Sequence, residues 1–136
     1  MANEKFRFFE HTADVKFQAY GKTLDKTFEN AALAMFNIMY KGKVAKKKKK
    51  KISVKGRDNE NLLYNFLEEL LFLLDTGDFF LASCKVKIEN NKLEAELQGD
   101  NAKNYEAVID VKAITYNEMF IKKEKSGWII QAVVDV

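Results

Sequence analysis

The stretch "WIIQAVVDV", Trp128 to Val136, decides how the chain folds. Ile129, Ile130, Val133 and Val134 place apolar side chains on both faces of an extended segment, the pattern of a central, buried strand. Asp135 sits at its end, one residue before the α-carboxylate of Val136. An unpaired buried charge costs several kcal/mol, and two adjacent anions repel unless a cation stands between them. Hard oxygen ligands suit calcium, magnesium or manganese. On spacing alone the alternative stays open: a frayed terminus with both groups in water.

Working back from that strand, Lys125-Ser126-Gly127 reads as a turn, preceded by strands over Met119 to Glu124 and Val108 to Tyr116. Phe79 to Glu89 and Leu93 to Gln98 flank the tight turn Asn90-Asn91-Lys92. Upstream, Leu62, Phe66, Leu70 and Leu73 line one face of a helix from about Glu60 to Leu74, capped by Asp58 or Asn59. Leu63, Leu67, Leu71 and Leu74 widen that stripe, so the helix is largely buried.

Leu24, Phe28, Ala31, Ala32, Met35 and Met39 mark an earlier helix to about Tyr40, with Thr23 as its cap. Phe6 to Phe9 and Val15 to Tyr20 are short strands, and Ile52 to Lys55 alternates as another. The pattern predicts an α+β fold: two helices packed on a mostly antiparallel β-sheet, residues 1–136 forming a single compact domain.

Composition narrows the function. The one cysteine, Cys84, has no partner within the chain, which points to a reducing compartment, and it reads as a small core residue rather than a nucleophile. Met1 to Glu10 has no signal-peptide pattern, and Leu62 to Leu74 is too short and too interrupted to span a bilayer. A cytoplasmic protein without membrane association is expected. The net charge of +3 is local: Lys46 to Lys51 supply six positive charges, leaving −3 on the remainder. That run reads as a solvated basic connector, with RNA phosphates as an alternative occupant; no aromatic interleaves it to stack on bases.

No phosphate-cradling glycine loop, no zinc-type spacing and no second histidine are present, so catalytic residues are not expected. In "EHTADV", Asp14 enters a strand from a polar turn, where it is either a turn cap or a side chain presented at a sheet edge. His11 is either a packed imidazole or a solvent-facing one. Lys112, on an apolar stretch that includes Tyr116, is expected to need an anionic neighbour, with Asp110 on the same face.

"HTADV", "YGKTLDKTFENAALAMFNIM", "NFLEELLFLLDTGDFF", "DVKAITYNEMF" and "GWIIQAVVDV" occur in this order and together resemble the archease family, over nearly the whole chain. The resemblance implies a small cytosolic protein that is not itself an enzyme. Archeases activate the tRNA-splicing RNA ligase, which joins a cyclic-phosphate or 3′-phosphate end to a 5′-hydroxyl end. They promote guanylylation of the ligase and its multiple turnover. The resemblance also implies a divalent cation, taken in the family to be calcium, held by Asp14, Asp135 and Val136.

It makes His11, Lys112 and Tyr116 candidates for partner binding or activity, and Lys46, Lys47, Lys48, Lys49, Lys50 and Lys51 candidates for RNA or partner contact. The partner implied is the ligase, with RNA met through the ligase complex. Asn117 and Lys41 stand where family members usually carry histidine and aspartate. Two other classes remain open: a metal-dependent hydrolase, and an independent RNA-binding module using the lysine run.

Overall fold

The computed structural model describes residues 4–9 and 14–136. His11 lies outside the described residues. The strands are β1 (Phe6–Phe9), β2 (Asp14–Gly21), β3 (Lys48–Lys55), β4 (Phe79–Glu89), β5 (Lys92–Asn101), β6 (Ala113–Glu124) and β7 (Gly127–Asp135). The α-helices are α1 (Leu24–Met39) and α2 (Asn59–Gly77). All strand pairs among the described residues are antiparallel, in two sheets: β1-β2-β7-β6 and β3-β5-β4. The fold is α+β, as expected, with the strands shared between two sheets. No helix of the described residues is long and apolar enough to cross a membrane.

Local chemistry sets the helices. Thr23 accepts the Lys26 N–H at 3.1 Å and Asp25 sits in the first turn, where the helix dipole favours an anion. Asp58 caps α2 by accepting the Asn61 N–H at 2.8 Å. That helix runs past its apolar stripe to Gly77, because Asp78 in the left-handed region (φ 53°) returns its N–H to the Leu73 carbonyl.

Both helices touch both sheets. Accordingly α1 is buried on more than one face: Phe28, Ala31, Ala32, Met35 and Met39 on the expected stripe, and Ala34 and Ile38 off it. Its polar Asn30 is buried and donates to the Tyr20 carbonyl at 2.7 Å, which links the helix to β2. The carboxylates of Glu29 and Asp25 accept the Val86 and Ile88 N–H groups, so the outer edge of β4 is closed by α1.

β7 lies inside its sheet, between β2 and β6, as its apolar sequence requires. Phe17, Ala19, Ile130, Ala132, Val134 and Ile114 face the core.

Two expectations need correction. The lysine run is not wholly a connector: Lys48 to Lys51 open β3 and pair with Gly99, Gln98, Leu97 and Glu96 of β5. β5 is long enough to offer those rungs, and an edge strand tolerates lysines because its alternate side chains reach water. The second correction concerns Val108, which does not begin a strand. Its N–H bonds the Met39 carbonyl at the end of α1 (2.9 Å), and its side chain is 75% exposed. The sheet is rejoined at Ala113, opposite Asp135.

Candidate functional site

Asp14 opens β2 and Asp135 closes β7, and the two are register partners on one antiparallel rung. Directly opposed residues share a face and have Cβ atoms roughly 4.5–5.5 Å apart. Core-facing Val15 and Val134 form the next rung, so the carboxylate pair is on the sheet face turned away from the helices. The Oδ1 atom of Asp14 is buried, Asp135 is exposed and Val136 is half-buried. Ala113 completes the rung on the β6 side, and the Lys112 N–H donates to the Asp135 carbonyl at 2.8 Å, fixing the end of β7.

Like charges directly opposed across a ladder destabilise it. Side-chain oxygens of this kind suit a hard divalent cation. Among the described residues no group of three or more His, Cys, Asp or Glu side chains converges anywhere. A cation at this rung would therefore complete its shell with oxygens of Val136, main-chain carbonyls, water or groups from a partner. The donor set fits calcium or magnesium as an open site, not a closed cage.

The same face carries a polar chain that sequence reading did not single out. Tyr20 Oη donates to Gln18 Oε1 (2.9 Å), Gln18 Nε2 to Gln131 Oε1 (2.9 Å), and Gln131 Nε2 to the Glu118 carbonyl (2.8 Å). Lys16, two residues from Asp14 on this face, pairs with Glu118 at 3.2 Å. Burial raises the Tyr20 phenol above its ordinary range, against the opposing effect of Arg7, so it serves as a neutral donor. The signal was present in "DVKFQAYG": Asp14, Lys16, Gln18 and Tyr20 recur at period two, opposite the core residues. Glu118 was hidden because β6 departs from register between Thr115 and Phe120, where Glu118 takes φ 56°.

The remaining candidates scatter. Lys112 is exposed and precedes β6, so its ammonium is solvated and needs no anionic neighbour; Asp110 is likewise exposed and outside any strand. The main chain of Lys112, not its side chain, adjoins the carboxylate rung. Tyr116 stacks on Tyr64 of α2 (centroids 4.4 Å, 6° between planes) and its hydroxyl accepts from Asn61 at 2.7 Å. Cys84 packs against the core, and burial, reinforced by Glu29, pushes its thiol up to about 12. It is not a nucleophile at neutral pH.

Comparison with known proteins decides the family. The model of the archease protein family matches residues 6–136. The chain belongs to the archease family. "Protein archease" of Pyrococcus abyssi is 39% identical over 141 residues, covering 98% of this chain and 99% of that one. "Protein archease" of Thermococcus kodakarensis is 41% identical over 140 residues, covering 97% and 99%. The solution structure of protein 1598 of Methanobacterium thermoautotrophicum superposes with a TM-score of 0.81 at 33% identity, covering all of both chains. Membership of the archease family thus extends over both sheets and the carboxylate rung.

Proposed function

We propose that this chain is a non-enzymatic activator of the tRNA-splicing RNA ligase, acting in the cytoplasm to promote guanylylation and multiple turnover of that enzyme. The observation that carries the reading is the Asp14–Asp135 rung at a sheet end of an archease-family chain. Asp14, Asp135 and Val136, the last through its carboxylate or main-chain oxygens, would hold a divalent cation; calcium is the ion the family resemblance implies, and magnesium shares its preference for oxygen ligands. Such an ion supplies charge neutralisation and vacant positions for a partner's oxygen ligands.

The chain's own residues do the positioning. The ladder sets the spacing of the two carboxylates, the Lys112 N–H holds the Asp135 main chain, and the Lys16–Glu118 pair borders the site. An open site exposed at one carboxylate suits docking against another protein's metal-dependent centre. His11, three residues before Asp14 in the sequence, and exposed Lys112 and Tyr116 are the partner-contact candidates.

The test mixes the purified chain with its RNA ligase, GTP and divalent metal, and follows ligase guanylylation and RNA product per ligase. Activation gives several products per ligase and faster guanylylation. Unchanged ligase kinetics would overturn the reading, and RNA hydrolysis by the chain alone would put a metal-dependent hydrolase in its place.

A further inference from the structure

The other sheet presents a charged surface that this role does not use. Lys49, Lys51, Ser53 and Lys55 of β3 lie opposite Gln98, Glu96, Glu94 and Lys92 of β5. On the far side of β5, Ser83, Lys85, Lys87 and Glu89 of β4 take the same rungs. Their chain neighbours Ile52, Val86, Leu93, Ala95 and Leu97 pack inward, so this whole set faces outward. The face carries six lysines against three glutamates.

Lys92 pairs with Glu94 at 3.7 Å. Among the described residues, the Lys49, Lys51, Lys85 and Lys87 ammonium groups enter no ion pair within 4.0 Å. Lysine clustering of this kind concentrates the chain's positive charge on one sheet, while the residues outside Lys46 to Lys51 sum to −3.

We infer that this outer sheet face binds the phosphate backbone of single-stranded RNA without regard to base sequence. Lys49 and Lys51 are two residues apart on one strand, roughly 6.8 Å, which is comparable to the step between successive phosphates of an extended polynucleotide. Lys85 and Lys87 repeat that step on β4, across the central glutamates. No aromatic side chain stands on this face, so bases have no platform to stack on and only the backbone is held. The exposed large apolar residues, Phe72, Val108, Ile109 and Tyr116, lie elsewhere, so the face has nothing to insert into a bilayer. RNA, rather than another polyanion, follows from the ligase-activator reading, on which this inference rests for its choice of ligand.

The probe is a fluorescent single-stranded RNA of mixed sequence, titrated with the full chain and followed by anisotropy. Neutralising four phosphates on a single strand predicts an affinity loss of about fifty-fold between about 50 and 200 mM salt. The combined variant Lys49→Ser, Lys51→Ser, Lys85→Ser and Lys87→Ser should lose most binding at the lower salt and keep its melting temperature. The same four positions changed to Arg should retain binding, as should Lys122→Ser with Lys123→Ser on the other sheet.

RNA-free guanylylation of the ligase should be unaffected by the serine variant, which separates this inference from the activator role. No RNA binding at the lower salt would overturn it. So would equal binding by the serine variant, or preference for anionic lipid vesicles over RNA.

Discussion

Asp14 and Asp135, from opposite ends of the chain, occupy the same rung between β2 and β7. That pairing is a consequence of topology: the second strand and the last are neighbours, and the core-facing rungs beside them lock the register. Slipping β2 by one residue would turn Val15 and Phe17 out of the core, and slipping β7 would turn out Ala132 and Val134. The carboxylates are therefore held together by the hydrophobic pattern of their own strands.

Metal linkage follows from this pairing. A cation bound by the folded state alone raises the unfolding free energy by about 2.7 kcal/mol at a hundredfold excess over its dissociation constant. Calcium added to the wild-type chain should raise the melting temperature by several degrees, and Asp14→Asn should abolish that rise. An equal calcium shift in wild type and variant would remove Asp14 from the ligand set.

Gly127 begins β7 at φ +149°, where a side chain is strained, and a Cβ there would press on the Gly21 carbonyl oxygen. Gly127→Ala should destabilise the fold by about 1–3 kcal/mol in chemical denaturation. A loss of less than about 0.5 kcal/mol would mean that the turn relaxes freely.

Cys84 should resist alkylation in the folded protein at pH 8.5 and react readily once unfolded, because its thiol titrates near 12 in place. The raised value favours the protonated form in the folded state. Its contribution to stability is thus complete below the ordinary thiol value of 9.0 and is lost as pH rises from there towards about 12. Rapid native-state labelling at pH 8.5 would contradict the packed position.

Lysines on β3 also guard an edge. Lys49→Val with Lys51→Val would remove two charges from this edge strand and make its outer face more apolar, and light scattering should then detect concentration-dependent association. A strictly monodisperse double variant, matching the wild-type chain, would show that other features protect this edge.

Lys112→Met should leave stability within about 0.5 kcal/mol, because the exposed ammonium does not hold the sheet and the main-chain N–H that does is retained. A larger loss in urea unfolding would mean that the side chain has a structural partner.

Periodicity makes much of this legible. The helix stripes, the Thr23 and Asp58 caps, the Asn90-Asn91 turn and the interior place of β7 all follow from local patterns. Division of the strands into two sheets is not legible, because no local signal says which strand pairs with which. Lys48 to Lys51 read as loop because charge masks alternation; β5 supplies the rungs that order them. Asp14 and Asp135 are each visible as candidates, but only long-range pairing puts them on one rung. The Gln18–Gln131–Glu118 chain depends on a register break in β6 that no sequence period announces.

The most direct test of the central claim is ligase turnover with Asp135→Asn, which removes one charge from the rung while keeping its shape. A metal-binding rung predicts a folded variant, with a melting temperature at or slightly above that of the metal-free wild type, that no longer stimulates guanylylation or multiple turnover of the RNA ligase. Full stimulation by a folded Asp135→Asn variant, at limiting divalent metal, would contradict it.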